Sequence, residues 1–165
     1  MLTVVHAACY ELAVHALDLA PCRAPQLPPH LLLAGLGALT DVTGALAARQ
    51  GIAATVTGQT PAGGWRFRAR PGEGWATEAV PPGPVEGAAV VGRAEILLDV
   101  SAGRVAVAPL LVERNLRIQD MASFLRLAPL VEAVPGIPGS PTLKVTAGAL
   151  SGVNAVVGRL RRPLG

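Results

Sequence analysis

Apolar residues recur along this chain first at helical and then at strand spacing. Leu2, Val5, Cys9, Leu12, Ala16 and Leu19 alternate steps of three and four, which predicts an amphipathic helix from Met1 to Leu19 with that seam turned inward. Pro21 and the group Pro25, Pro28 and Pro29 end it. A second helix is expected from Leu31 to Arg49, with Leu32, Leu36, Leu39, Val42 and Leu46 on one side and Gly51 as its stop.

After Gly51 the period shortens. Strands are expected over Ile52 to Thr57, Trp65 to Ala69, Trp75 to Val80 and Val85 to Val91, with turns at Gly58 to Gly64 and Pro71 to Gly74. Pairing Ala69 with Trp75 puts Trp65, Phe67, Ala69, Trp75, Thr77 and Ala79 on one face and sets Arg66 opposite Glu78. A short helix from Arg93 to Ala102 closes at Gly103, a fifth strand runs from Leu110 to Ile118, and a helix from Met121 to Val134 follows. In that last helix Met121, Phe124, Leu125, Leu127, Leu130, Val131 and Val134 cover most of the circumference, so a second apolar surface or a ligand is expected over it. Pro135 to Pro141 reads as a stiff linker. Val145, Ala149, Val153, Val156 or Val157, and Leu160 then predict a C-terminal amphipathic helix ending in Arg159, Arg161 and Arg162, suited to a lid, a subunit contact or a membrane surface.

The expected fold class is α+β: a five-stranded, mainly antiparallel sheet with helices packed on one face, flanked by N-terminal helices and a C-terminal helix. The boundaries fall at 1–50 for the helical segment, 51–134 for the α+β domain, and 135–165 for the linker and last helix.

Composition narrows the function classes. The chain is 51% hydrophobic and only 3% aromatic, so Ala, Val and Leu carry its apolar content. Disorder is excluded by that hydrophobicity, no membrane span is expected because Pro or a charge interrupts every long apolar run, and a core of small aliphatic groups is expected to leave room for a ligand. The net charge of +3 comes with one lysine, Lys144, among 14 basic residues and with few aromatics, which argues against a nucleic-acid groove. Cys9 and Cys22 make no disulfide framework, and no signal segment opens the chain, so a cytoplasmic protein is expected.

Candidate chemistry is sparse. Glu11, His15 and Asp18 share one face of the first helix, a spacing that gives zinc two ligands or else forms a hydrogen-bonded stripe. His6 lies roughly 140° or more around the axis from both Glu11 and His15, and His30 is the remaining histidine. Arg66, Arg68 and Arg70 alternate on one strand face, fit either to grip an anion or to form the wet side of a sheet. Glu95 and Asp99 read as a solvated acidic face. Gly35 and Gly37 lack the third glycine of a dinucleotide fingerprint, and neither a phosphate-loop lysine nor a nucleophile elbow is present.

Two resemblances add to this. The run Val90-Val91-Gly92-Arg93-Ala94-Glu95-Ile96-Leu97-Leu98-Asp99, then Gly103-Arg104, then Leu116-Arg117-Ile118-Gln119-Asp120 leading into Phe124-Leu125-Arg126-Leu127, resembles the sterol carrier protein type-two-like fold. Glu113-Arg114 and Gln119-Asp120 stand where that family carries Gly-Lys and Gly-Asp turns. The resemblance implies an apolar tunnel for lipids, acyl chains or sterols. Separately, Glu11 to Ala20 is similar to the last bundle helix of the mycothiol-dependent maleylpyruvate isomerase family. There the residues matching Glu11 and His15 bind zinc with a histidine from an earlier helix, and this chain lacks that helix.

The expected function is therefore binding of a hydrophobic small molecule between the sheet and the Met121 to Val134 helix, with Trp65, Phe67, Trp75, Leu97, Phe124 and Leu127 as walls and no cofactor. One alternative is a cofactor-independent cyclase or isomerase of specialised-metabolite (antibiotic) biosynthesis, using Glu113, Arg117 or Asp120 as a polar group inside an apolar cavity. The other is a maleylpyruvate isomerase relative whose Glu11 and His15 zinc site is completed by another chain. The uncapped first helix and the glycine-rich tail lead us to expect a homodimer or a partner protein, and no nucleic acid.

Overall fold

The computed structural model describes residues 2–19, 22, 27–127 and 129–130. The linker and C-terminal helix expected over residues 135–165 lie outside these, as do Val131 and Val134 of the last predicted helix. The elements are α1 (Leu2–Leu17), α2 (Pro29–Arg49), β1 (Ala54–Thr60), β2 (Gly63–Arg70), β3 (Gly74–Val80), β4 (Ala88–Gly92), α3 (Ala94–Ser101), α4 (Val107–Val112), β5 (Leu116–Gln119) and α5 (Met121–Leu125). The fold is α+β, with one five-stranded sheet ordered β3-β2-β1-β4-β5.

Three of the four strand pairings are antiparallel, and β1 with β4 is parallel. The β2–β3 register sets Ala69 against Trp75 and Arg66 against Glu78, as the alternation requires. Since β2 is antiparallel to both β1 and β3, the strands β1, β3 and β4 all run the same way. The chain leaving β3 at Val80 must therefore travel back the length of a strand before β4 can begin. Residues 81–87 make that passage, and their prolines suit unpaired, extended backbone. Gln59 Nε2 donates to the Pro81 carbonyl at 3.1 Å and Gln119 Nε2 to the Val85 carbonyl at 2.7 Å, which ties the crossover to the sheet face turned away from α2. Thr57, Gln59 and Ala89 on that face are buried.

The helices occupy the other face. Phe67, Val56, Ala69 and Ala88 pack with Ala47 of α2 and with Phe124, Leu127 and Leu130. Trp65 and Val90 pack with Leu36, Leu97, Val107, Leu110 and Leu116. Ala13 and Val14 of α1 pack on Leu32 and Leu98. The packing thus runs across residue 50, where the periodicity changes. Alpha2 meets the length and hydropathy of a membrane span, which the interrupted-run criterion did not anticipate, and half of that window is buried inside the fold. It is the core helix, lying between α1 and the sheet.

Close approach on both sides of α2 depends on glycine. A Cβ on Gly35 would overlap the Cβ of Ala13, one on Gly37 would lie 2.7 Å from Trp65 Cε2, and one on Gly44 would lie 3.0 Å from Phe67 Cβ. This corrects the expected seam of α1. Leu12 is 67% exposed, Val5 and Leu19 are exposed too, and the small side chain of Ala13 is the one that faces α2. Periodicity selects the greasiest stripe, but helix approach over a glycine selects a small residue.

Four further expectations change. Beta1 runs on to Thr60, so its turn is only Pro61 and Ala62. Beta4 begins at Ala88 rather than Val85, because residues 81–87 are the crossover. The strand expected from Leu110 to Ile118 is α4 followed by β5; the short apolar run Leu110-Leu111-Val112 fits either state, and Pro109 fits the first turn of a helix. The long last helix is interrupted after Leu125, where Pro129 cannot continue its hydrogen bonding, and Pro129 and Leu130 are helical again.

One polar cluster joins three elements. His6 Nδ1 on α1 lies 2.6 Å from Asp41 Oδ2 on α2, while Trp75 Nε1 and Thr77 Oγ1 on β3 each donate to Asp41 Oδ1 at 2.9 Å. The Asp41 side chain is only 13% exposed. Burial pushes its carboxyl up, and the hydrogen bonds from Trp75, His6 and Thr77 together outweigh that and hold it below the ordinary carboxylate value.

Two outcomes follow from this packing. Replacing Gly35→Ala adds helix propensity of about 1 kcal/mol against overpacking of about 1–3 kcal/mol, so urea unfolding is expected to show a net loss, recovered when Ala13→Gly is added. Asp41→Ala strands three donors and should cost about 1–3 kcal/mol near pH 7. Because Asp41 has a lowered folded pKa, its contribution is complete above the unfolded value of about 3.9 and fades as pH falls through the folded one. The gap between wild type and Asp41→Asn in unfolding free energy should therefore shrink below about pH 4.

Candidate functional site

An open cleft of about 460 Å³ lies where the carboxyl ends of the parallel strands β1 and β4 come together. Gln59, Thr60 and Pro61 line it from β1 and its turn, Val91 and Gly92 from β4, Arg93 and Ile96 from the start of α3, and Arg114, Asn115 and Arg117 from the approach to β5; Gly83 of the crossover completes it. Crevices at the carboxyl ends of parallel strands are where open sheets hold ligands, because the chain turns away there and leaves backbone groups free.

Three arginines converge on this cleft. Arg93 precedes α3 and caps it without a side-chain hydrogen bond, so the first N–H groups of that helix have no side-chain acceptor at this position. Its Nη2 lies 3.5 Å from Glu95 Oε1. Arg114 follows α4 in the left-handed region at φ 60°, a position that glycine or asparagine occupies at lower cost. Arg117 alternates outward on β5, because Leu116 and Ile118 face the helices. Among the described residues neither Arg114 nor Arg117 forms an ion pair. The apolar wall comes from Val91, Ile96 and Pro61. Gln59 is 2% exposed; its Nε2 holds Pro81 while its Oε1 lacks a hydrogen-bond partner among the described residues.

The residues proposed from sequence fall elsewhere, apart from Arg117. Phe67, Phe124 and Leu127 pack in one core cluster, and Trp65 and Leu97 in another. Trp75 is exposed at the edge strand and spends its indole N–H on Asp41. The six therefore fall in two core clusters and at the edge strand. Glu113, Arg117 and Asp120 are all exposed rather than enclosed in an apolar cavity, because they sit in the two turns around β5 and on its outward face. Glu113 accepts from Asn115 Nδ2 at 2.9 Å. Asp120 caps α5, and the Ser123 hydroxyl and backbone N–H hold its carboxyl below the ordinary range.

Among the described residues Glu11 and His15 have no third ligand beside them that would complete a zinc site. Their side chains are 61% and 70% exposed, with His15 Nε2 3.5 Å from Glu11 Oε2 and Nδ1 3.0 Å from Asp18 Oδ2. Asp18 is in turn paired with Arg104 Nη2 at 2.7 Å, and His6 points to Asp41. Among the described residues no group of three or more His, Cys, Asp or Glu is arranged to hold a metal.

Arg114 and Arg117 of the cleft are near neighbours in one segment, but Arg93 comes from the start of α3, so no local motif joins all three. Arg114 stands two residues past the apolar run Leu110-Leu111-Val112, and its left-handed backbone is visible only in the structure. No protein-family model matches this chain, and no curated protein matches it.

Proposed function

We propose that this domain binds a small organic molecule with an apolar portion in the cleft at the ends of β1 and β4. The observation that carries this reading is the cleft itself, about 460 Å³ and walled by Val91, Ile96 and Pro61 beside a few polar groups. Small-molecule sites run from about 300 to 1,000 Å³ and combine apolar walls with a few placed polar groups. The class of ligand is the one expected from sequence, while the cleft at the carboxyl ends of β1 and β4 is a different place from the space between the sheet and the Met121 to Val134 helix. Binding rather than turnover is favoured because Glu113 and Asp120, the acids offered as catalysts, are solvated. A cytoplasmic setting accords with the free thiols of Cys9 and Cys22.

Titration of the labelled protein with octanoate should move the amide resonances of Val91, Gly92 and Ile96 in a saturable way. Ile96→Asp should weaken binding tenfold or more. Saturable shifts confined to residues outside the cleft, or none with either octanoate or 1-octanol, would overturn the assignment.

A further inference from the structure

We infer that the polar end of the ligand is an anion, a carboxylate or phosphate group held by Arg93, Arg114 and Arg117; this rests on the cleft being the binding site proposed above. All three arginines line the same cleft, and among the described residues no acidic one does. Glu95 and Glu113 stand nearby, but Glu95 reaches Arg93 only at 3.5 Å and Glu113 is engaged by Asn115 at 2.9 Å. Guanidinium groups present paired donors that match the two oxygens of a carboxylate or phosphate.

Two backbone features point to the same chemistry. Alpha3 starts at the cleft with no side chain capping it, so the N–H groups of Ala94, Glu95 and Ile96 are left to solvent or to an acceptor. An eight-residue helix alone would not define a site. The second feature is Arg114, held at φ 60° directly after α4. Glycine or asparagine adopts that conformation at lower cost, and nothing in the turn needs an arginine: its N–H bonds the Leu111 carbonyl, as any residue's would. The side chain is what the position supplies, and it supplies it to the cleft.

The arrangement predicts selection by charge. Arg68, exposed on β2 and outside the cleft, provides the control. Calorimetric titration would compare 1-octanol, octanoate and octyl phosphate, which share one apolar chain. Both anions, or one of them, should bind at least tenfold tighter than 1-octanol, and the better of the two identifies carboxylate or phosphate as the head group. In Arg114→Asn/Arg117→Gln, where asparagine tolerates the left-handed backbone, the preference should fall below threefold with 1-octanol affinity unchanged; Arg68→Ala should keep the full preference. Arg93→Ser, which removes a charge while capping α3, should lower it as well and serves if the double variant does not fold. If 1-octanol matches both anions, or the preference survives in the variants, the anion assignment is wrong and the cleft remains a binding site. If none of the three ligands binds, both the assignment and the cleft reading fail.

Discussion

Parallel pairing of β4 with β1 is the constraint on which the remaining architecture depends. An antiparallel neighbour could have been reached by a tight turn, but a parallel one demands a return passage. Residues 81–87 supply it, and their course over the sheet buries Thr57, Gln59 and Ala89 on a face that would otherwise be wet. The same pairing brings the carboxyl ends of two strands side by side. One end turns back through Pro61 and the other opens into α3, and the divergence of the two paths is the cleft. Fold and candidate site therefore have a common origin in a four-residue register, Val56 to Gln59 against Ala88 to Val91.

On the opposite face α2 plays the corresponding part. Its three glycines cost helix stability of about 1 kcal/mol each relative to alanine. What they provide is approach, with Ala13 against Gly35 and the rings of Trp65, Phe67 and Trp75 against Gly37 and Gly44. Asp41 sits on the same helix and ties α1 and β3 to it through His6, Trp75 and Thr77. Apolar contact and one satisfied carboxylate thus hold α1 in place at two separated points.

What could be read from the sequence was whatever depends on neighbours along the chain. The hairpin register followed from the alternation of Trp65, Phe67 and Ala69 with the arginines, and it matches the structure. Helices one to three followed from period and stop signals, Gly103 included, which has φ 70°. What could not be read depends on distant partners. The inward face of α1 was set by Gly35, and the assignment of Leu110 to Val112 as helix was set by packing on Leu36 and Leu97. Arg117 was legible as chemistry but not as a member of a set: Arg114 is its neighbour along the chain, while Arg93 joins them only after the β4–β5 pairing has formed.

The small-residue composition changes meaning in this light. Ala, Val and Leu in place of rings were expected to leave space in the interior for a greasy ligand. Instead, Gly35, Gly37, Ala13, Ala47, Ala88 and Ala89 stand where backbones come closest. Dispersion falls off steeply with distance, so small residues that let a helix settle onto a sheet recover by proximity what they lack in area. The cleft then owes its volume to the splaying of strand ends, not to undersized side chains. A site made that way is open and edged by turns, and turns are where arginines can face solvent without a desolvation penalty and still converge on one ligand. Charge rather than burial is therefore the means of selection such a cleft has at hand.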